Sequence, residues 1–140
     1  MNALDKEAIA ARFSRAASTY DGAAIVQRLM AERLVALLPE YEGLFAASKS
    51  HDDDTILELG CGTGLLTELL VTRYPNALLH AIDLAPGMIE HCRRRFDKQS
   101  GTVFEIGDAE LFQPSFKPPL VAANCTFQWL ADPEGALRSR

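Results

Sequence analysis

Three acidic side chains stand at the ends of apolar runs, and one run leads into glycines at alternate positions. The first run, residues 55–59, contains Glu58 and precedes Gly60, Gly62 and Gly64. Glycine adopts backbone angles that are closed to other residues, and it lets a ligand approach the main chain without an intervening side chain. The pattern therefore predicts a strand-to-helix turn that binds a ligand, with packing alone as the alternative interpretation.

The spacing of these glycines excludes two common phosphate-binding turns. A dinucleotide turn needs the order G-x-G-x-x-G, and Leu65 occupies the place of its third glycine. A phosphate loop needs Gly-Lys followed by Ser or Thr, which is absent after Gly64. A cofactor of another kind is therefore indicated.

The other two acids follow later apolar runs. Residues 77–82 lead into Asp83, about twenty residues past the glycines, where a carboxylate can accept hydrogen bonds from both hydroxyls of a ribose. Residues 102–106 lead into Gly107 and Asp108. Each acid alone is typical of a helix cap or a solvated turn. Three such acids in this order favour a single cofactor site.

Apolar runs that alternate with helical patterns predict a parallel α/β sheet, and ligands bind such sheets at the carboxyl ends of the strands. We expect strands at residues 55–59, 77–83, 102–106 and 120–124, and helices at residues 65–73, 86–98 and from 134 onward. Two amphipathic helices precede the sheet, at residues 5–18 and 23–38, and residues 19–22 break between them.

Composition limits the partners and the compartment. The chain has 140 residues, a net charge of −5 and a pI of about 5.1, which argues against nucleic-acid binding. No apolar run approaches the length of a membrane span, and no signal peptide is apparent, so we expect a cytoplasmic protein. The three cysteines lack disulfide or metal spacing, and His51 belongs to an acidic loop, so no metal site is expected.

The segment from Glu58 to Gly64 resembles the first motif of Rossmann-like S-adenosylmethionine-dependent methyltransferases: an acid, any residue, then G-x-G-x-G. Residues 10–27 resemble the N-terminus of the malonyl-acyl-carrier-protein O-methyltransferases of biotin synthesis, and residues 124–129 resemble their segment after strand four. Residues 117–120 depart from that family, because its usual Asp-Leu start of strand four is absent. Trans-aconitate methyltransferases share the second segment but resemble the first less well. Both groups methylate carboxylates.

The resemblance implies a seven-stranded sheet, of which this chain would contain the first four strands. We expect one S-adenosylmethionine-binding domain over residues 1–140, truncated at its C-terminal end. It would comprise N-terminal lid helices over residues 1–39 and a Rossmann-like core over residues 55–140. Strand four would lie at a sheet edge, open to water or to self-association. A non-catalytic fragment, or half of an assembly, is therefore the alternative to an enzyme.

The resemblance also implies the site residues. Asp83 would hold the ribose, Leu84 would pack on the adenine, and Asp108 and Ala109 would read the adenine edge. The methionyl end would be surrounded by Glu58, Gly60, Cys61 and Gly62. Asn124 would line the methyl-transfer face, and Met88 is either an adenine contact or core.

The acceptor side has aromatic candidates. Phe13 and Tyr20 are expected in a lid, and Phe127 and Trp129 in the acceptor pocket, with core packing as the alternative. No catalytic base is expected, because a carboxylate acceptor is already ionised at neutral pH. The acceptor would be a small molecule or a carrier-linked carboxylate. An acidic carrier protein could meet the basic residues Arg12, Arg15, Arg93, Arg94 and Arg95, although a solvated helix face is the favoured interpretation of these arginines.

Overall fold

The computed structural model describes residues 5–46 and 54–138. Strand β1 (Thr55–Leu59) is buried along its whole length, which is typical of a strand covered on both faces. It pairs in parallel with β2 (Leu78–Asp83) on one side and with β4 (Val121–Ala123) on the other. Strand β3 (Thr102–Ile106) pairs in parallel with β2. The order β3-β2-β1-β4 confirms the predicted parallel α/β sheet.

The helices α5 (Leu65–Arg73) and α6 (Pro86–Arg95) connect β1 to β2 and β2 to β3. Leu66 and Leu70 of α5 pack with Ile56 of β1 and Leu79 of β2. The opposite side chains of β1, among them Leu57, contact a different layer. That layer consists of irregular segments, and the partly buried side chains packed in it include Phe112, Phe116 and Leu130.

The N-terminal part contains four described helices where the sequence predicted two. It contains α1 (Lys6–Ala16), α2 (Tyr20–Ala23), α3 (Ile25–Ala36) and α4 (Tyr41–Leu44). The predicted break at residues 19–22 is thus wrong in part, because α2 forms a single turn of helix there. Helix α1 begins at an Asp5 cap, whose carboxylate accepts the Ala8 amide at 3.0 Å.

Other predicted elements were longer than the observed ones. Helix α6 ends at Arg95, three residues early, and β4 spans three residues rather than five. A last helix, α7 (Pro133–Arg138), begins at the expected place. The acidic segment around His51 lies outside the described residues. In the ranges that are described, no helix is long and apolar enough to span a membrane.

Helix α3 buries little of its apolar side. Ala31 is buried against the core, while large side chains such as Ile25 (68% exposed) and Leu37 (84% exposed) remain open to solvent. Beside them runs the outer edge of β4, with which no strand of the described ranges pairs. The apolar face of α3 and this unpaired edge form a continuous shallow depression, lined by residues such as Leu29, Met30 and Phe127.

The three arginines at the end of α6 form the expected solvated face only in part. Arg93 donates to the Phe104 carbonyl at 2.7 Å. Arg95 pairs with Glu68 at 2.6 Å and with Asp21 at 3.3 Å. Arg93 and Arg94 are both exposed residues, and 66% of the Arg94 side chain is open to solvent, against 24% for Arg95. The main chain and acids around Arg93 and Arg95 thus supply partners that the sequence pattern does not reveal, while Arg94 fits the predicted solvated face.

The contact between α1 and α6 yields a test. A Cβ atom at Gly87 would lie 2.7 Å from the Ser14 backbone, and the Gly87 amide donates to Ser14 Oγ at 3.0 Å. We expect Gly87→Ala to push α1 away and to cost roughly 1–3 kcal/mol, although alanine is the better helix former. Chemical denaturation, with hydrogen exchange over residues 6–16, measures both effects.

The matched control is Gly22→Ala, since a Cβ there meets nothing within 4 Å. Stability that is unchanged or raised in both variants would show that α1 does not depend on the close contact at Gly87.

Candidate functional site

The glycine turn after β1 has the backbone geometry that the spacing predicted. Gly60 and Gly62 have φ angles of 67° and 56°, in the left-handed region. A Cβ at Gly60 would collide with the Thr126 side chain, so the close packing there requires glycine. A Cβ at Gly62 would meet nothing within 4 Å, because this residue faces an open cavity.

Asp83, at the end of β2, fixes this turn. Its Oδ2 atom accepts the Gly62 amide at 2.8 Å, and Oδ1 accepts the Ala85 amide at 2.8 Å. Burial raises the pKa of Asp83, and the two backbone hydrogen bonds oppose that rise. An ionised carboxylate has about four acceptor sites, so about two remain for a ligand. A pair of neighbouring hydroxyls fits this remaining capacity.

Glu58 lies one strand away and is almost fully buried. Its Oε2 atom accepts the Thr67 hydroxyl at 2.7 Å. Burial raises the pKa of Glu58 to about 8, opposed by that hydrogen bond and reinforced by the charge of Asp83. The buried Glu58 and the partly buried Asp83 both line the cavity, and a cationic group bound there would favour the ionised form of each.

The loop after β3 contains the third acid. Asp108 and the buried Ala109 both line the cavity. The Asp108 Oδ1 atom accepts the Glu110 amide at 2.9 Å, and Oδ2 lies 2.6 Å from the Lys6 ammonium. A residue of α1 thus reaches the far end of the site.

Helix α1 and the turn α2 cover the cavity. Phe13 contacts Trp129 edge-to-face at 5.5 Å between ring centroids, and Tyr20 at 6.2 Å. Burial is the main cause that raises the pKa of the Tyr20 phenol, which therefore stays protonated at neutral pH. Next to Tyr20, Asp21 accepts the hydroxyl of Thr63 in the glycine turn and pairs with Arg95.

The segment after β4 forms the remaining wall. The Asn124 amide donates to the Gln27 carbonyl at 2.8 Å, which links this segment to α3. Cys125 has a φ of 57°, unusual for a residue with a side chain. Phe127 is not among the residues that line the cavity, because its side chain lies in the depression beside α3.

The cavity measures about 430 Å³, within the range of small-molecule sites. The structure brings together all ten predicted cofactor residues and four of the five predicted acceptor-side residues. These are Phe13, Tyr20, Glu58, Gly60, Cys61, Gly62, Asp83, Leu84, Met88, Asp108, Ala109, Asn124 and Trp129, with Asn124 belonging to both sets.

Some lining residues were not predicted from the sequence. Lys6, Thr63, Gln27 and Gln128 also line the cavity. The sequence could have predicted Thr63, since this residue stands between two glycines of the turn. The other three belong to segments whose approach to the site depends on tertiary packing.

Comparisons with known proteins agree with this arrangement. The profile of a family described as methyltransferase domains matches residues 56–139. Malonyl-[acyl-carrier protein] O-methyltransferase from Acetivibrio thermocellus is 44% identical over 134 residues, which cover 96% of this chain and 44% of the relative. The chain spans about half the length of the curated relatives it matches.

Solved structures share the fold. A chain in the complex between the Haloferax volcanii Trm112 methyltransferase activator and a methyltransferase superposes with a TM-score of 0.72 at 22% identity, covering 91% of this chain and 53% of that chain. The DhpI-SAM-HEP complex gives a TM-score of 0.68 at 20% identity, covering 99% and 60%. The fold is therefore the Rossmann-like fold of these enzymes. On the profile match and the sequence identity, the chain belongs to the family of methyltransferase domains.

Proposed function

We propose that this chain binds S-adenosylmethionine and forms the cofactor half of a cytoplasmic enzyme that methylates a carboxylate, with malonyl-acyl-carrier protein of biotin synthesis as the preferred acceptor. The observation that carries the proposal is the convergence of Glu58, Asp83 and Asp108 on one cavity at the strand ends. The names and identities of the curated relatives support the choice of acceptor. The unpaired cysteines fit a reducing compartment.

The residues present fit the chemistry of the cofactor. The free acceptor sites of Asp83 suit the ribose hydroxyls, and the buried Glu58 suits the ammonium of the methionyl end. Gly60, Cys61 and Gly62 would adjoin that end of the cofactor. Leu84, Met88, Asp108 and Ala109 would surround the adenine.

S-adenosylmethionine supplies a methyl group on a cationic sulfur, which a carboxylate oxygen can take up as an ester methyl while a neutral thioether leaves. The protein therefore needs no general base, and its residues act by positioning, which can contribute roughly 7–11 kcal/mol. Phe13, Tyr20 and Trp129 would exclude water and hold the acceptor. Their aromatic faces can favour a cation by roughly 0.5–2 kcal/mol. Asn124 would border the methyl-transfer face.

A second candidate is a non-catalytic half of an assembly. The exposed apolar side of α3 and the unpaired edge of β4 favour it, because such surfaces bind further polypeptide, including a second copy of the chain. An inactive dimer that binds no cofactor would support this candidate over the first.

The ribose contact gives the first test. We expect Asp83→Ala to weaken binding of S-adenosylhomocysteine more than about tenfold, since a charge-assisted pair of hydrogen bonds is lost. Calorimetry measures the affinity, and thermal unfolding of the free variant separates loss of binding from disruption of the turn, because both Asp83 oxygens also accept backbone amides. Unchanged affinity in the alanine variant would remove Asp83 from the site.

The role of Glu58 can be tested by measuring protons released when the ligand binds. Its pKa of about 8 keeps it protonated at pH 7 in the free chain, and a bound ammonium should lower that pKa. Binding of S-adenosylhomocysteine at pH 7 should then release about one proton, seen by calorimetry in buffers of different ionisation enthalpy. Release should vanish in Glu58→Gln and persist in Glu90→Gln, an exposed control. Equal release in the Glu58→Gln variant and the wild type would rule out this role for Glu58.

The identity of the methyl acceptor can be tested with three substrates: malonyl-acyl-carrier protein, a small malonyl thioester and trans-aconitate. Mass spectrometry measures the methyl ester formed on each. Arg15 and Arg94 are exposed and lie outside the cavity. Reversing both charges should lower kcat/KM roughly three- to tenfold on the carrier-linked substrate only, because exposed charges steer the encounter of two proteins. Equal loss on the small thioester would contradict a carrier-docking role.

A further inference from the structure

Lys6, in the first turn of α1, reaches the loop after β3. Its ammonium lies 2.6 Å from Asp108 Oδ2 and also contacts the Glu110 carboxylate. The side chains of the two acids are only 16% and 12% exposed. Burial opposes the charge of Lys6, but the two acidic partners outweigh it and raise the lysine pKa. Lys6 is therefore a permanent cation at this end of the cavity.

The contact fixes the orientation of the Asp108 carboxylate. Oδ1 accepts the Glu110 amide at 2.9 Å, while Lys6 holds Oδ2. Glu110 is held in turn, because its Oε1 atom accepts the Asp132 amide at 2.6 Å. Each Asp108 oxygen thus has one partner and keeps a further acceptor site for a ligand.

An ionised carboxylate in a fixed orientation discriminates between purines. It accepts a hydrogen bond from the 6-amino group of adenine, but it repels the 6-oxo group of hypoxanthine, which offers only an acceptor. A carboxylate that can rotate away loses that penalty together with the favourable bond. The selectivity therefore depends on whatever restrains the carboxylate.

We propose that Lys6 is a positioning residue for purine selectivity: by holding Asp108 it makes the cavity prefer a 6-amino over a 6-oxo purine. This inference rests on the proposed function, in which Asp108 faces the base of the cofactor. It also makes recognition of the base dependent on α1, the helix that covers the cavity.

A simple tether between α1 and the core is the competing role of Lys6. Other contacts already dock α1 and the turn that follows it. The Gly87 amide binds Ser14, Phe13 packs on Trp129, and Asp21 accepts the Thr63 hydroxyl. Loss of Lys6 should therefore leave α1 in place while it frees Asp108.

The test compares S-adenosylhomocysteine with S-inosylhomocysteine, its 6-oxo counterpart, by calorimetry. In the wild-type chain the amino ligand should bind more tightly. In Lys6→Met that preference should fall roughly tenfold, mainly through weaker binding of the amino ligand. Lys6→Arg, which keeps a cation, should retain most of the preference.

Two controls separate this role from a general loss of charge or structure. Lys98→Met removes an exposed lysine that lies outside the cavity lining, and it should leave the preference unchanged. Hydrogen exchange over residues 6–16 of Lys6→Met is the second control, and protection equal to that of the wild type would show that α1 stays in place.

Equal weakening of both ligands in Lys6→Met would show a tether and overturn the proposal, as would an unchanged preference. If the wild-type chain binds neither ligand, the proposed function itself fails and this inference fails with it.

Discussion

The hydrogen bond from the Gly62 amide to the Asp83 carboxylate is the contact on which the rest of the site depends. It joins the end of β2 to the turn after β1, and a backbone bond from the Cys61 amide to the Ile82 carbonyl at 3.0 Å reinforces the junction. It also places the partly buried carboxylate of Asp83 one strand away from Glu58, whose pKa is raised by its own burial and further by the charge of Asp83. A cationic ligand would offset the repulsion between these two acids. The hydrogen bond from Gly62 to Asp83 therefore shapes the turn and also makes the cavity favour a positive charge.

The cavity is covered by α1 and α2, which polar and aromatic contacts hold in place. Polar contacts hold the N-terminal segment at both ends, with Lys6 on the loop after β3 and Asp21 on the glycine turn. Between them the contact is aromatic, with Phe13 against Trp129. Apolar contacts close the middle of the cavity, while the charged pairs determine where the segment is fixed. The cover is therefore joined at one end to Asp108 and at the other to the glycine turn, and both border the cavity.

Local sequence predicted the parts of the site that local backbone chemistry determines. The left-handed glycines, the strand-end acids and the parallel sheet all follow from residue type and spacing, as in the run from Glu58 to Gly64. Lys6 and Arg95 could not be predicted in the same way. Lys6 is 102 positions from Asp108, and Arg95 is 74 positions from Asp21 and 27 from Glu68, so only the packed fold brings these groups together.

Other differences have equally physical causes. The apolar pattern predicted an amphipathic helix over residues 23–38, yet only one flank of α3, with Ala31, is covered within the described residues. Helical periodicity identifies an apolar face but not what covers it. Phe127 turns toward that same face rather than into the cavity, because a single turn of 3₁₀ helix at Phe127–Trp129 directs neighbouring aromatic rings to different sides.

The central claim is that the strand ends of this chain alone form an S-adenosylmethionine site. The most direct measurement is titration of the wild-type 140-residue chain with S-adenosylhomocysteine by calorimetry, alongside its mass in solution. We expect saturable binding with one cofactor per chain and micromolar affinity. A folded chain that shows no binding would contradict it, since the cavity would then lack the function assigned to its three acids.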